Sequence, residues 1–304
     1  MNLPLVSHPA YSTPLPEEHR FPMAKFRLLV DHLHRLDLLR EDRLHQPLPV
    51  PRRWLELVHP RSYHEAFARH RLSPAEARRI GLPATPGVIR RSWLAVGGTV
   101  LTARLALQHG LACHLAGGTH HAFGNVGSGF CIFNDVAVAA HVLLTEGLVE
   151  RILVVDLDVH QGDGTASLFA GDPRVFTFSA HAQSNFPLRK ARSDCDLPLP
   201  DGMEDEPYLA AVGNLLPDLL SQVRPNLVFY NAGVDPHRQD RLGRLCLSDR
   251  GLLQRERMVL ETCLGQRIPV ATVIGGGYDT LTPLVERHGL VVRAAAEVSL
   301  LHHL

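Results

Sequence analysis

The stretch RILVVDLDVHQGD, residues 151–163, constrains the fold more than any other part of the chain. Ile152, Leu153, Val154 and Val155 form a short apolar run, the pattern of a strand buried on both faces of a parallel sheet. The run then turns polar, with Asp156, Asp158 and His160 at alternate positions. Residues two apart on an extended chain point to the same side. Two carboxylates and an imidazole are therefore offered together at the carboxyl end of a strand, where open α/β sheets place their ligands. Oxygen and nitrogen donors at this spacing suit a divalent metal, as in catalytic zinc sites. A strand end turning into solvent could carry the same residues, so the reading depends on what the other strand ends bring.

Strands and helices alternate along the whole chain, which predicts a parallel sheet in one three-layer α/β domain over residues 1–304. Residues 3–6 and 54–59 read as early strands, and residues 23–40 have helical spacing through Phe26, Leu29, Val30, Leu33, Leu36 and Leu39. Short helices are expected at 62–69 and 73–80, each opening on a serine suited to N-capping. Residues 83–90 read as a loop, and 97–110 as a helix entered through Gly97-Gly98. Further strands are expected at 111–116, 152–155, 175–179, 226–232 and 270–274. Asn134 with Asp135, and Ser248, are placed to cap helices. Residues 183–203, rich in proline, read as a long irregular loop, a kind of segment that is usually functional or disordered.

Lys+Arg and Asp+Glu are equal at 31 each, which gives no electrostatic reason to expect nucleic acid or an anionic membrane as partner. The five cysteines include no C-x-x-C pair and read as reduced thiols, mostly packed in the core. The first twenty residues lack a basic and apolar leader pattern, and no apolar run approaches the ~18 residues of a membrane span. A cytoplasmic protein is expected from these features.

Five strand ends carry chemistry: His120-His121; Asp156, Asp158 and His160; Ser179 with His181; the loop from Asp235 to Asp240; and Tyr278 after three glycines. Each has a plain alternative. The histidine pair could be solvated, Asp240 could pair with neighbouring arginines, and Tyr278 could be a packed turn residue. A parallel sheet, however, brings all five ends to one edge. Three protein ligands, with Asp240 as the third, would match a catalytic metal. The histidines would supply acid and base, each needing a carboxylate to fix its tautomer, with Asp156 and Asp163 available. Tyr278 could donate to a developing oxyanion. Gly127-Ser128-Gly129 makes a poor phosphate loop because G-x-G-x-x-G is absent.

Taken in order, GGTHHAF, SGFCIFND, VDLDVHQGDGT, NAGVDPHRQDRLG and GGGY resemble the histone-deacetylase family of zinc amidohydrolases, over about residues 1–290. Gln161, where many members carry a second histidine, resembles the class IV branch and its bacterial relatives, as do HRFPM at 19–23 and NFPLRKARSD at 185–194. The resemblance implies an arginase/deacetylase fold with a mainly parallel, roughly eight-stranded sheet. It implies Asp158, His160 and Asp240 as ligands to Zn²⁺, with Fe²⁺ as the alternative metal. His121 would be the general base with Asp163 as its partner, His120 with Asp156 the second histidine, and Tyr278 the carbonyl-polarising hydroxyl. Gly129 and Phe130 would line a narrow substrate tunnel, with Phe186 across it. A structural K⁺ would be held by Asp156, Asp158, His160, Ser179 and Ala180. The implied reaction removes an acyl group from protein lysine, with an acetylpolyamine or other small acyl-amine substrate as the alternative. A dinuclear arginase-type enzyme would need more aspartate ligands, and a non-catalytic acyl-lysine binder would be expected to lack one of the reactive groups. The rim carboxylate that grips the substrate backbone in larger family members has no counterpart at residues 83–90.

Overall fold

The computed structural model describes residues 3–304. Eight strands form one sheet: β1 (Leu5–Val6), β2 (Leu44–His45), β3 (Leu111–His114), β4 (Ile152–Asp156), β5 (Val175–Ala182), β6 (Cys195–Leu199), β7 (Leu227–Asn231) and β8 (Val270–Val273). Their order is β2-β1-β3-β8-β7-β4-β5-β6, and every pairing is parallel. Strands β3, β4, β7 and β8 are buried at every residue, as their unbroken apolar runs require.

Among the described residues the α-helices are α1 (Lys25–Arg35), α2 (Arg52–Leu55), α3 (Arg61–Ala68), α4 (Pro74–Ile80), α5 (Pro86–His109), α6 (Asp135–Thr145), α7 (Asp163–Phe169), α8 (Asp205–Val223), α9 (Asp249–Gly265) and α10 (Leu281–Leu301). Two helical groups pack on the sheet: α5 against α6 and α6 against α7, and α1, α9 and α8 in a row with α10. This is the α/β/α arginase/deacetylase architecture that the sequence motifs imply.

Register decides where the loops go. His114 of β3 pairs with Val273 of β8, Val273 with Asn231 of β7, Asn231 with Asp156 of β4, and Asp156 with Ser179 of β5. One row of residues thus crosses five neighbouring strands. Just beyond it the chain passes into the segments that hold the histidine pair, Asp158 with His160, Asp235 with Asp240, and Tyr278. Adjacent strands lie about 4.8 Å apart, so segments distant in sequence meet within one crevice.

The structure corrects four local expectations. Residues 54–59 are not a strand: Pro51 starts the short helix α2, Leu55 and His59 are buried one turn apart, and the second strand is Leu44–His45. Helix α3 begins after Pro60, so Ser62 is inside it, whereas Ser73 forms a full capping box with Glu76 as expected. Helix α5 starts eleven residues before Gly97, at Pro86, where Thr85 caps Val88, so residues 86–90 are not loop. Gly97 and Gly98 serve close packing inside that helix. A Cβ on Gly97 would meet the Leu48 carbonyl oxygen at 2.1 Å, and one on Gly98 would meet the Tyr11 hydroxyl at 2.2 Å. Finally, residues 183–203 contain β6, an edge strand paired to β5, where Pro198 is tolerated because one side of the strand has no partner.

Candidate active site and metal centre

The two histidines sit on the segment after β3, and the start of α6 fixes that segment in place. Asp135 accepts hydrogen bonds from the backbone N–H of Gly118 at 3.1 Å and Thr119 at 2.7 Å, and from the Thr99 hydroxyl at 2.5 Å. Asn134 caps α6 through Ala137 and donates its amide to the Ala122 carbonyl and the Thr165 hydroxyl. These two residues, read from sequence as helix caps, also brace both sides of His120-His121. A Cβ on Gly118 would lie 2.5 Å from the Asn231 side-chain oxygen, so the segment passes too close for a side chain there.

Each histidine has its own carboxylate. His120 Nδ1 lies 2.6 Å from Asp156 Oδ2, and His121 Nδ1 lies 2.6 Å from Asp163 Oδ1. The two rings are 4.1 Å apart, centroid to centroid, and all four side chains are buried. Asp156 is held in turn by the Asn231 amide at 2.9 Å. Burial and the neighbouring charge of His120 hold the His121 imidazole at about 4, against the pull of Asp163. Burial also opposes charge on His120, but the carboxylates of Asp156 and Asp158 outweigh it and raise this imidazole to about 9. The pair is thus split into one neutral and one cationic ring, the arrangement by which two identical groups take different acid–base roles.

Below the pair lies a closed cluster. Ligand atoms of Asp158, His160 and Asp235 come within 4.8 Å of one another, and all three residues are buried. His160 Nδ1 faces Asp158 Oδ1 at 3.0 Å and Asp235 Oδ2 at 3.2 Å. Burial and the charge of Asp158 push the Asp235 carboxyl up to about 7. Two buried carboxylates and an imidazole packed this closely fit a divalent metal as a donor set. Asp240 lies outside this cluster, in the same loop. Its Oδ1 accepts from the backbone N–H of Leu242 and Gly243, at 2.8 and 3.0 Å, and its Oδ2 from that of Tyr278 at 2.7 Å. Asp235, named from sequence only as the start of that loop, is the group that spacing alone could not place.

Tyr278 follows Gly275-Gly276-Gly277, whose backbone threads between carboxylates. A Cβ on Gly276 would come 2.1 Å from Asp235 Oδ2, and Gly277 has φ +159. Burial and the nearby Asp158 and Asp235 push the Tyr278 hydroxyl well above its ordinary value of 10.0, so it stays a donor. Lys25, whose place in the helical spacing of residues 23–40 gives no hint of a role in the site, reaches the Gly275 and Gly277 carbonyls at 3.3 and 3.4 Å and steadies this hinge.

A cleft of about 750 Å³ leads from the surface to this centre. Gly129, Phe130 and Phe186 line it together with His121, His160 and Tyr278. The Phe186 ring meets His121 edge-on at 4.8 Å, and the Phe130 ring lies 5.8 Å from that of Tyr278. Gly129 has φ +52, and a Cβ on it would meet His121 Cδ2 at 2.7 Å, so glycine is required there. Gln161 accepts the Ala191 N–H at 2.8 Å and donates to the Ala191 carbonyl and Asp196, thereby fastening the segment that carries Phe186. On the other side Asp156, Asp158, His160, Ser179 and Ala180 are all buried, with Asp156 and Ser179 paired in register.

Comparison with known proteins gives the family. Residues 19–294 match the family model described as the histone deacetylase domain. The chain is 56% identical to an uncharacterized protein of Picosynechococcus sp., over 98% of this chain and 100% of that one. It is 33% identical to histone deacetylase 2 of Arabidopsis thaliana over 60% of this chain, and spans about half (48%) of that relative. The crystal structure of a histone deacetylase (HDAC) homolog complexed with SAHA superposes with a TM-score of 0.83 at 26% identity, covering 97% of this chain and 84% of that one. With its motifs, its all-parallel sheet and its paired histidines accounted for together, the chain belongs to the histone deacetylase family.

Proposed function

We propose that this family member is a metal-dependent deacylase that hydrolyses the amide between an acyl group and the ε-nitrogen of a protein lysine. The observation that carries the reading is the pair of 2.6 Å histidine–carboxylate contacts, set over a buried Asp158–His160–Asp235 cluster at the end of a cleft. We assign the metal to Asp158 and His160, with Asp240 as the third ligand and Asp235 behind His160. Asp235 is wholly buried, whereas Asp240 lies between Leu242 and Tyr278, which both line the cleft. Zn²⁺ is our first choice and Fe²⁺ the second; when bound, either supplies Lewis acidity and lowers the pKa of a water molecule.

The chain's own groups do the rest. His121, neutral, takes the proton of the attacking water while Asp163 fixes its tautomer. His120, cationic beside Asp156, steadies the negative charge that develops and is placed to protonate the leaving amine. The Tyr278 hydroxyl donates to the carbonyl oxygen as it becomes an oxyanion. Gly129, Phe130 and Phe186 hold the lysine stem and keep water out. The buried oxygens around Asp156, Asp158, His160, Ser179 and Ala180 are the place we assign to K⁺. All of this is attributed to a single catalytic domain in a cytoplasmic protein; among the described residues no helix is long and apolar enough to cross a membrane.

His121→Ala and Tyr278→Phe should each lower kcat on an acetyl-lysine peptide by about 10²–10⁴, with metal content retained. Near-normal turnover in either metal-loaded variant would show the assigned chemistry to be wrong.

A further inference from the structure

The mouth of the cleft is one-sided in charge. Arg20, Arg78, Arg79, Arg189 and Arg244 line it, and all five are exposed. They come from four separate parts of the chain: the loop before α1, the last turn of α4, the β5–β6 connection and the β7–α9 connection. The one carboxylate lining the cleft is Asp163, already engaged by His121. Arg244 is partly neutralised by Asp201 at 3.4 Å, and Arg79 lies over the Phe123 ring at 5.3 Å. Among the described residues, Arg20, Arg78, Arg79 and Arg189 make no ion pair. Because acidic and basic residues balance at 31 each over the chain, this excess is local to the opening. A cleft lined by one sign of charge concentrates ligands of the other sign.

We propose that the substrate is an acyl-lysine set among acidic residues, whose carboxylates meet these guanidinium groups as the modified side chain enters. The inference rests on the deacylase reading above and adds the sequence context. The acyl group itself would lie deep, beside His121 and Tyr278, so the anionic character belongs to the flanking peptide. A polyamine, which brings further cations past the same arginines, is disfavoured on this account. Exposed charges act mainly on encounter and binding, and their reach is about 10 Å at 0.1 M salt, so the effect belongs to kcat/KM and fades with ionic strength.

The test uses three acetyl-lysine peptides that differ only in the residues flanking the lysine, all Asp, all Ser or all Lys, with N-acetylspermidine beside them. At low salt kcat/KM for the Asp peptide should exceed that for the Lys peptide by about tenfold, since several exposed pairs each contribute a fraction of a kcal/mol. The ratio should collapse at about 0.5 M salt. Arg78→Glu/Arg79→Glu should reduce or invert it, and Arg20→Gln/Arg189→Gln should reduce it. A ratio near one in the wild-type protein, a preference for the Lys peptide, or faster use of N-acetylspermidine than of the Asp peptide would overturn the proposal while leaving deacylation standing. Absence of turnover on every peptide would remove the deacylase reading, and this proposal with it.

Discussion

At the scale of single residues, the carboxylates divide by what faces them. Asp156 and Asp163 each hold a histidine, Asp158 and Asp235 face His160, and Asp240 is held by three backbone N–H groups. Replacing Asp240 by alanine removes these three acceptor contacts together with the carboxylate, so the fold of the variant is checked by circular dichroism beside its metal content. Asp240→Ala should leave a folded protein with metal content well below one equivalent by elemental analysis, whereas full loading would remove Asp240 from the ligand set. Alternation at 156, 158 and 160 made Asp158 and His160 legible as neighbours at one strand end, although the strand itself stops at Asp156. Asp235 was not legible as part of the cluster, since its place depends on a loop packed beneath the glycine hinge. Lys25 and Gln161 were hidden for another reason. Both act on backbone atoms of remote segments, Lys25 on Gly275 and Gly277, Gln161 on Ala191, and no local spacing encodes that.

At the scale of elements, the loop that carries Asp158 and His160 is supported from behind by α9. Arg255 donates to the Leu157 carbonyl at 3.1 Å, between Asp156 and Asp158 in the chain, and pairs with Glu256, which also takes the Tyr230 hydroxyl. The Arg255 and Glu256 side chains are 0% exposed. Removing one member of such a buried pair strands the other charge, so Arg255→Ala should cost about 3–5 kcal/mol in urea unfolding. A loss well under 1 kcal/mol would show that the pair is no strut. The elements missed from sequence failed for physical reasons. Residues 54–59 are mostly apolar, as a short strand is, but the preceding Pro51 starts a helical turn. The glycines of α5 looked like an entrance, yet they admit the Leu48 carbonyl and the Tyr11 hydroxyl. The long buried strands were plain because continuous apolar runs bounded by polar loops have few other folds available.

At the scale of the whole molecule, the parallel sheet assembles the site through one register row, and its supporting core contains neutral histidines. Burial holds His59 at about 4 and His114 at about 3, against an ordinary value of 6.5. Both rings are used as neutral partners, His59 by the Gly124 carbonyl and the Asn134 N–H, His114 by Tyr11 and Thr99. The unfolded chain therefore takes up protons that the folded chain refuses. The contribution of these two rings to stability is complete above about pH 6.5 and is lost as pH drops towards 4, by up to about 1.4 kcal/mol per pH unit for each ring. Urea melts at falling pH should show this slope, and His59→Gln should lessen it; equal stability at pH 7 and pH 5 would contradict it. The central claim is tested most directly by hydrolysis of an acetyl-lysine peptide with the protein stripped of metal and then reloaded. We predict that turnover disappears on chelation and returns with about one equivalent of Zn²⁺ or Fe²⁺ per chain. Undiminished turnover in metal-free protein would contradict the account.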